Sequence, residues 1–351
     1  MYVLLRYLTC RYKAQRSAIN VFNNLVNLHD FVVLFEKLRE RGNAGVLRKV
    51  FRSEKNRIRH SWSHTNNVPA HWWDIPAVEK RWNVLITGDS DTEPYAYVAE
   101  KFFAGGGERN ALSLGCGGGG RELKWLATGS ISRLDAYDIS EERIAHARAA
   151  AEKAGCVGRA HFHVADIFDL NIAPESYDVV LLESSLHHFK PVRRILESVN
   201  RWLKPGGNVV VNEFVGPSRF QWSDRQLEIV NGILAMIPEQ YRTTWPHGNI
   251  KQKAHRPGRL SMYLNDPSEA AESALIQPLL REMFEIVELK PYGGTLLPLV
   301  FRNIAHHFVE QDEETIRIVK LIFDIEDELL RRNEIESDYI YAVCRKRQSQ
   351  E

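Results

Sequence analysis

The 351-residue chain is poor in cysteine: Cys10, Cys116, Cys156 and Cys344 are widely scattered, and none belongs to a CxxC pair. That excludes a disulfide framework and a cysteine-based structural zinc site, and points to a reducing compartment. Long apolar runs are also missing, since no window approaches the roughly 18–20 residues needed to cross a bilayer. The first apolar stretch is broken at Arg6 and is followed by no small-residue cleavage site, so neither a secretory leader nor a membrane span is expected. The protein reads as cytoplasmic. There is no internal repeat and no low-complexity tract. Net charge is nearly absent, with 46 Lys and Arg against 45 Asp and Glu, which argues against a surface built to coat nucleic acid. What remains is 44% hydrophobic and 26% charged residues, the composition of a globular chain long enough for one large domain or two modest ones.

The near-zero total hides an asymmetry. Residues 1–60 hold 13 cations and 4 anions, so whatever meets this segment is acidic rather than basic. Within it, Val21, Phe22, Leu25, Leu28, Val32, Phe35 and Leu38 recur at three-to-four spacing and predict an amphipathic helix over 19–41. A basic, partly aromatic stretch from Arg48 to Trp73 follows as an irregular arm. One reading makes this segment a packing or homodimerisation element. The other has its cations touch an anionic lipid surface or a glycan, a peripheral contact without a transmembrane segment.

From about residue 108 the pattern becomes an alternation of strand and helix. Strands are expected at Ala111–Leu114, Ser132–Asp138, His161–Asp166, Tyr177–Glu183 and Asn208–Glu213. Helices are expected at Glu122–Thr128, Glu141–Ala154 and Val192–Leu203. Such alternation implies βαβ units, and so an α/β fold with a doubly wound, Rossmann-like sheet and its ligand at the carboxyl ends of the strands. After residue 215 the alternation lapses. A helix is expected at Gln226–Ile237, and Tyr241–Leu264 is rich in Trp, His, Arg and Pro. Strand-like Glu285–Leu289 and Asp338–Cys344 frame a charged helix at about 313–332, and could add two antiparallel strands, seven in all.

The strongest local signal is Leu114-Gly-Cys-Gly-Gly-Gly-Gly-Arg-Glu, a glycine-rich turn between strand and helix. Glycine lets the backbone bend sharply and approach a ligand closely, and the next helix offers unpaired N–H groups. A phosphate-binding P-loop would need Lys-Ser/Thr where Arg121-Glu122 stand. A dinucleotide fingerprint fits Gly115, Gly117 and Gly120, with Asp138 near the offset of a ribose-binding acid. That leaves an NAD(P)-dependent oxidoreductase open on the local pattern.

More of the chain resembles the class I S-adenosylmethionine-dependent methyltransferases. Ser113-Leu-Gly-Cys-Gly-Gly-Gly aligns with their glycine motif, Tyr177-Asp178 opens the fourth strand as theirs does, and Leu203-Lys-Pro-Gly-Gly is their turn before the fifth strand. The resemblance implies S-adenosyl-L-methionine as cofactor, held by Ser113, Gly115, Cys116, Gly117 and Gly119 at the turn. It further implies Asp138 and Ile139 on the ribose, Asp166 and Ile167 on the adenine, and Glu183 near the methionine end. Ser113 stands where the family carries an acid that organises the loop and the methionine ammonium; Glu183 is one candidate substitute, and a catalytically silent cofactor-binding protein is the alternative. Cys116 reads as a small filler rather than a nucleophile. The implied division is a basic helical extension over 1–75 and a methyltransferase domain over 76–351, with a lid inserted at about 216–283.

Methyl transfer to a hydroxyl needs alignment and a base. His187 and His188 lie just past the fourth strand and Glu213 ends the fifth, which makes these three the candidate catalytic groups. On the lid, Arg219, Trp222, Tyr241, Trp245 and His247 are candidates for contact with the acceptor. Tyr95 and Tyr97 occupy a region that serves many family members as a gate. The pair His306-His307 lacks a carboxylate at ligand spacing, so no metal is expected. The acceptor expected is a small molecule or a glycan, the glycan suggested by the Phe214–Trp222 continuation. Nucleic acid is disfavoured because Glu183-Ser-Ser-Leu replaces the base-methylation element.

Overall fold

The computed structural model describes Ile58, residues 69–310 and residues 312–347. The amphipathic segment 19–41 and nearly all of the basic arm lie outside the described residues.

Two helices, α1 (Pro76–Thr87) and α2 (Pro94–Phe103), each opened by a proline whose missing N–H costs nothing there, precede the sheet. The alternating region then runs β1 (Asn110–Leu114), α3 (Gly120–Ala127), β2 (Arg133–Asp138), α4 (Glu141–Lys153), β3 (Ala160–Val164), β4 (Tyr177–Glu183), α5 (Val192–Trp202) and β5 (Leu203–Phe214). Helices α6 (Asp224–Met236), α7 (Arg259–Asn265) and α8 (Ile276–Met283) separate β5 from β6 (Phe284–Pro291). Helices α9 (Leu297–Phe301) and α10 (Glu313–Arg331) separate β6 from β7 (Tyr339–Lys346).

The seven strands form one sheet in the order β3-β2-β1-β4-β5-β7-β6. Strands β1 to β5 pair in parallel, whereas β7 pairs antiparallel with both β5 and β6. The chain leaves β1 in one direction for β2 and β3 and returns on its other side at β4, so the strand order reverses at β1/β4, where open α/β sheets bind ligands. The turn Leu203–Gly207, expected to precede the fifth strand, belongs to β5 itself: Tyr177 pairs with Leu203 and Val179 with Asn208, the intervening residues bulging from the ladder.

Strand alternation sorts the side chains between two cores. Leu112, Leu114, Val180, Leu182, Val209 and Val211 face α5 and α8. Ala111, Val179, Leu181 and Val210 face α2, α3 and α4. By the same parity Ser113 and Glu183 point to the α3 side, and Glu213 to the α5 side. A third apolar cluster draws Trp72, Ile75 and Val78 together with α6, α9 and α10. The residues after β5 therefore share a core with those between β6 and β7, a partnership between distant segments that periodicity alone did not suggest.

One charge ties that cluster together. Glu326 of α10 is fully buried; it accepts from the backbone N–H of Thr295 at 2.8 Å and Leu296 at 2.7 Å, and pairs with Arg81 of α1 at 2.7 Å.

Candidate active site

A cavity of about 2530 Å³ opens at the carboxyl ends of the strands. Its floor is the glycine turn and the tips of β2, β3, β4 and β5; its far wall comes from residues 244–269 and 298–303. Of the sequence candidates, Gly115, Cys116, Gly117, Asp138, Ile139, Asp166, Ile167, Glu183, His187 and His188 line it.

The turn has its shape for packing reasons. Gly115 sits at φ +72°, and a Cβ there would lie 2.7 Å from Cβ of Ser185; Gly119 sits at φ +78°, where a Cβ would strike Ala147 at 2.8 Å. Side chains are excluded at both positions, and at Gly115 the backbone of the turn borders the hollow. Asp138 is 9% exposed; its carboxylate accepts from Gly117 N at 2.9 Å and from Ser140 N at 2.8 Å. It clamps the glycine turn to the start of α4 while its edge lines the cavity. Asp166 accepts from Phe168 N at 3.0 Å, capping a short 3-10 turn at the end of β3. The Cys116 thiol is pushed up by burial and by the charges of Glu122 and Asp138, so it stays protonated and acts as filler.

Three expected positions stand behind the wall. Gly119 is packed under α4, Ser113 is buried, and Glu213 is 0% exposed. The missing strand-β1 acid is met in an unexpected way. Ser113 Oγ donates to Glu122 Oε1 at 2.7 Å, so the neighbouring carboxylate comes from the first turn of α3. Glu183 instead accepts from Trp125 Nε1 at 2.9 Å and from Asn212 Nδ2 at 3.3 Å, while its own carbonyl takes a bond from Arg121 at 2.7 Å. In sequence Glu122 reads as an ordinary first-turn acid favoured by the helix dipole, with no local signal that sets it beside Ser113.

On the opposite face of the sheet, Glu213 collects four donors: the backbone N–H groups of Ser185 and Leu186, its neighbour Phe214 N at 3.1 Å, and His187 Nδ1 at 2.6 Å. A carboxylate only accepts, so Nδ1 carries the proton and Nε2 is left basic, with Glu269 Oε1 3.9 Å away. Burial opposes charge on His187, but the charge and hydrogen bond of Glu213 outweigh it and hold the pKa above its ordinary value. His188, ring centroid 4.0 Å from His187, is pushed well below it by burial and by the charges of His187 and Arg143. Donor atoms of His187, His188 and Glu269 lie within 4.8 Å of one another, a group that could hold a cation. The sequence reading missed Glu269 because it lies in an irregular segment with no motif around it.

The lid candidates divide. Trp222, Trp245 and His247 line the cavity. Arg219 does not: its guanidinium donates to the carbonyls of Pro267 at 2.6 Å and Glu269 at 3.1 Å, fastening the chain that carries Glu269. Tyr241 is also elsewhere, its hydroxyl on Glu314 at 2.9 Å. Tyr95 lines the cavity, but Tyr97 turns to Glu288 at 2.9 Å. His307 pairs with the carbonyl of Thr243 at 2.9 Å.

Residues 112–211 match the family described as "Methyltransferase domain". That decides between the two readings of the glycine turn. The chain carries a class I S-adenosylmethionine-dependent methyltransferase domain. It is 29% identical over 130 residues to a 27-O-demethylrifamycin SV methyltransferase of Amycolatopsis mediterranei, covering 36% of this chain and 47% of that one. It is 27% identical over 144 residues to an O-methyltransferase of Penicillium expansum, covering 41% and 50%. The chain thus spans about half the length of these relatives. Among solved structures, a geranyl diphosphate C-methyltransferase of Streptomyces coelicolor, in complex with Mg2+, geranyl diphosphate and S-adenosyl-L-homocysteine, aligns over 85% of this chain and 99% of that one, at 12% identity and TM-score 0.47.

The residues present fit the cofactor of this methyltransferase domain. A turn closed to side chains at Gly115, a carboxylate at the tip of β2 and apolar Ile139 and Ile167 line the hollow. Beside them Glu122 borders the hollow, its Oε2 buried with no hydrogen-bond partner. Among the described residues no helix is long and apolar enough to cross a membrane.

Proposed function

We propose that this protein transfers a methyl group from S-adenosylmethionine to a hydroxyl of a small molecule or glycan, with His187 as general base. The observation that carries the reading is the 2.6 Å contact between His187 Nδ1 and the buried Glu213, which in the neutral ring puts the proton on Nδ1 and leaves Nε2 as the acceptor beside the cavity. Bound S-adenosylmethionine supplies an electrophilic methyl carbon. Asp138 would hold the ribose hydroxyls, Ile139 and Ile167 would flank the adenine, and the glycine turn would lie along the nucleoside. Glu183, fixed by Trp125 and Asn212, would border the methionine end. His187 would accept the hydroxyl proton as the oxygen attacks in line, with Glu213 stabilising the imidazolium. Glu213 never meets the substrate in this scheme; it orients His187 from behind. The O-methylating relatives favour oxygen as the acceptor atom. Within this reading residues 216–283 act as the lid over the acceptor, and the end of the segment expected as an extension belongs to the domain, since Trp72 and Ile75 are in its core.

The test is a panel of hydroxylated small molecules and nucleotide sugars, incubated with isotopically labelled methyl donor and read by mass spectrometry. Turnover should survive chelator. Loss of turnover with EDTA would reassign His187, His188 and Glu269 to a cation. His187→Ala should slow methylation by about 10²-fold or more; a full rate in that variant, with loss in His188→Ala, would move the base by one residue. Cofactor binding without turnover on any acceptor would favour a catalytically silent protein. Asp138→Ala should weaken S-adenosylhomocysteine binding by about 1–3 kcal/mol in calorimetry, and an unchanged affinity would remove Asp138 from the site.

A further inference from the structure

Glu122 is placed unlike any other acid of the cavity. It is 2% exposed, one oxygen is fixed by Ser113 Oγ at 2.7 Å, and the other has no partner although the residue borders the hollow. Leaving a carboxylate oxygen buried and unmet is costly unless the group is protonated or a cation arrives. The surroundings sharpen that choice. Glu183 from β4 faces it with a second negative charge, Tyr95 from α2 and Cys116 from the turn face it neutral, and Arg121 on its own helix opposes them with a positive charge. Arg121 is already engaged with the carbonyl of Glu183 at 2.7 Å.

We propose that the Ser113–Glu122 pair is a proton-exchanging cation subsite: Glu122 carries a proton in the empty protein and releases it to solvent when the α-ammonium end of the cofactor docks against its unmet oxygen. The inference rests on the cofactor assignment above and adds a linkage between cofactor binding and pH. The balance is simple. One O–H bond of Glu122 breaks, its proton goes to bulk buffer, and the carboxylate accepts N–H bonds from the ammonium. Burial above all, with Glu183 adding to it and the Ser113 hydrogen bond opposing, pushes the Glu122 carboxyl up to about 7, so the exchange falls in the physiological range. Ser113 is part of the device: an acid at that position would place two carboxylates in contact, whereas a hydroxyl donates to one oxygen of Glu122 and leaves the other without a partner.

The experiment is calorimetry of the full chain with two ligands, S-adenosylhomocysteine and 5′-methylthioadenosine, which shares the nucleoside but lacks the amino-acid end. Titrations at pH 6.5 in buffers of different ionisation enthalpy count protons released. Wild-type protein should release protons on binding S-adenosylhomocysteine and none on binding methylthioadenosine. Its preference for the former should grow between pH 6 and pH 8. Glu122→Gln, with folding verified by thermal unfolding, should abolish the release and weaken S-adenosylhomocysteine about tenfold or more, with methylthioadenosine affinity unchanged. The proposal is overturned by no proton release from the wild type, equal release from Glu122→Gln, or equal loss of affinity for both ligands. If neither ligand binds, the cofactor assignment fails and takes the subsite with it; if both bind but the ratio ignores pH, only the subsite fails.

Discussion

Glu213→Gln is expected to lower turnover by about 10²–10⁴-fold while the protein stays folded. The amide keeps an oxygen for the backbone N–H groups of Ser185 and Leu186, which Glu213 now satisfies. What it presents to His187 Nδ1 is an N–H donor in place of the acceptor found at 2.6 Å. The imidazole must then accept at Nδ1 and carry its proton on Nε2, so the face toward the cavity no longer takes a proton. A second signature follows from the direction of the shift. In the wild type His187 titrates above 6.5 because Glu213 outweighs burial. A base must be neutral to act, so the rate should climb with pH through a value above 6.5 and level off beyond it. Removing the negative charge leaves burial dominant, and the acidic limb of any residual activity should move to lower pH. A pH–rate profile of kcat/KM checks both. An unshifted limb together with a full rate would show that Glu213 does not govern the base.

Glu326→Ala should destabilise the protein by about 3–5 kcal/mol, the usual cost of breaking a buried ion pair from one side. The carboxylate that Arg81, Thr295 and Leu296 share would be gone, leaving a guanidinium that is 8% exposed and two backbone amides without that acceptor. Urea unfolding should show a lower midpoint with the slope preserved. Glu326→Gln should lose less, because its oxygen can still accept from the amides while Arg81 keeps only its pair with Asp327. A loss below about 1 kcal/mol in the alanine variant would mean that water replaces the carboxylate at no net cost.

The parallel region was legible in advance because its signals are local. The apolar run Tyr177–Glu183 delimits β4 to the residue, and the alanine-rich helix expected at Glu141–Ala154 ends one residue earlier, at Lys153. Strand tips follow from strand limits, so Asp138, Asp166 and His187 could be placed near the ligand end before their contacts were known. Three features were not legible, each for a physical reason. Glu122 has the composition of an ordinary helix start, and its importance depends on which residue opposes it across β1. Arg219 sits on a segment that lines the cavity elsewhere, yet its long side chain turns away to backbone carbonyls at 47 to 50 residues' separation. The joint core of α6, α9 and α10 forms between stretches that are each amphipathic alone, and nothing in either names the other.

The position of β7 has a consequence for synthesis. This strand is made after all the others yet lies inside the sheet, flanked by β5 and β6. Until residue 346 clears the ribosome, β5 shows a bare ladder of N–H and C=O groups along Asn208–Phe214, and β6 has lost its neighbour altogether. A nascent polypeptide stalled in that condition offers an adhesive edge to any extended strand nearby. Closure also demands pairing across more than a hundred residues of intervening chain, the kind of contact that sets a slow pace. Expression at low temperature or with added chaperone should therefore raise the yield of monodisperse material more than codon or tag changes do.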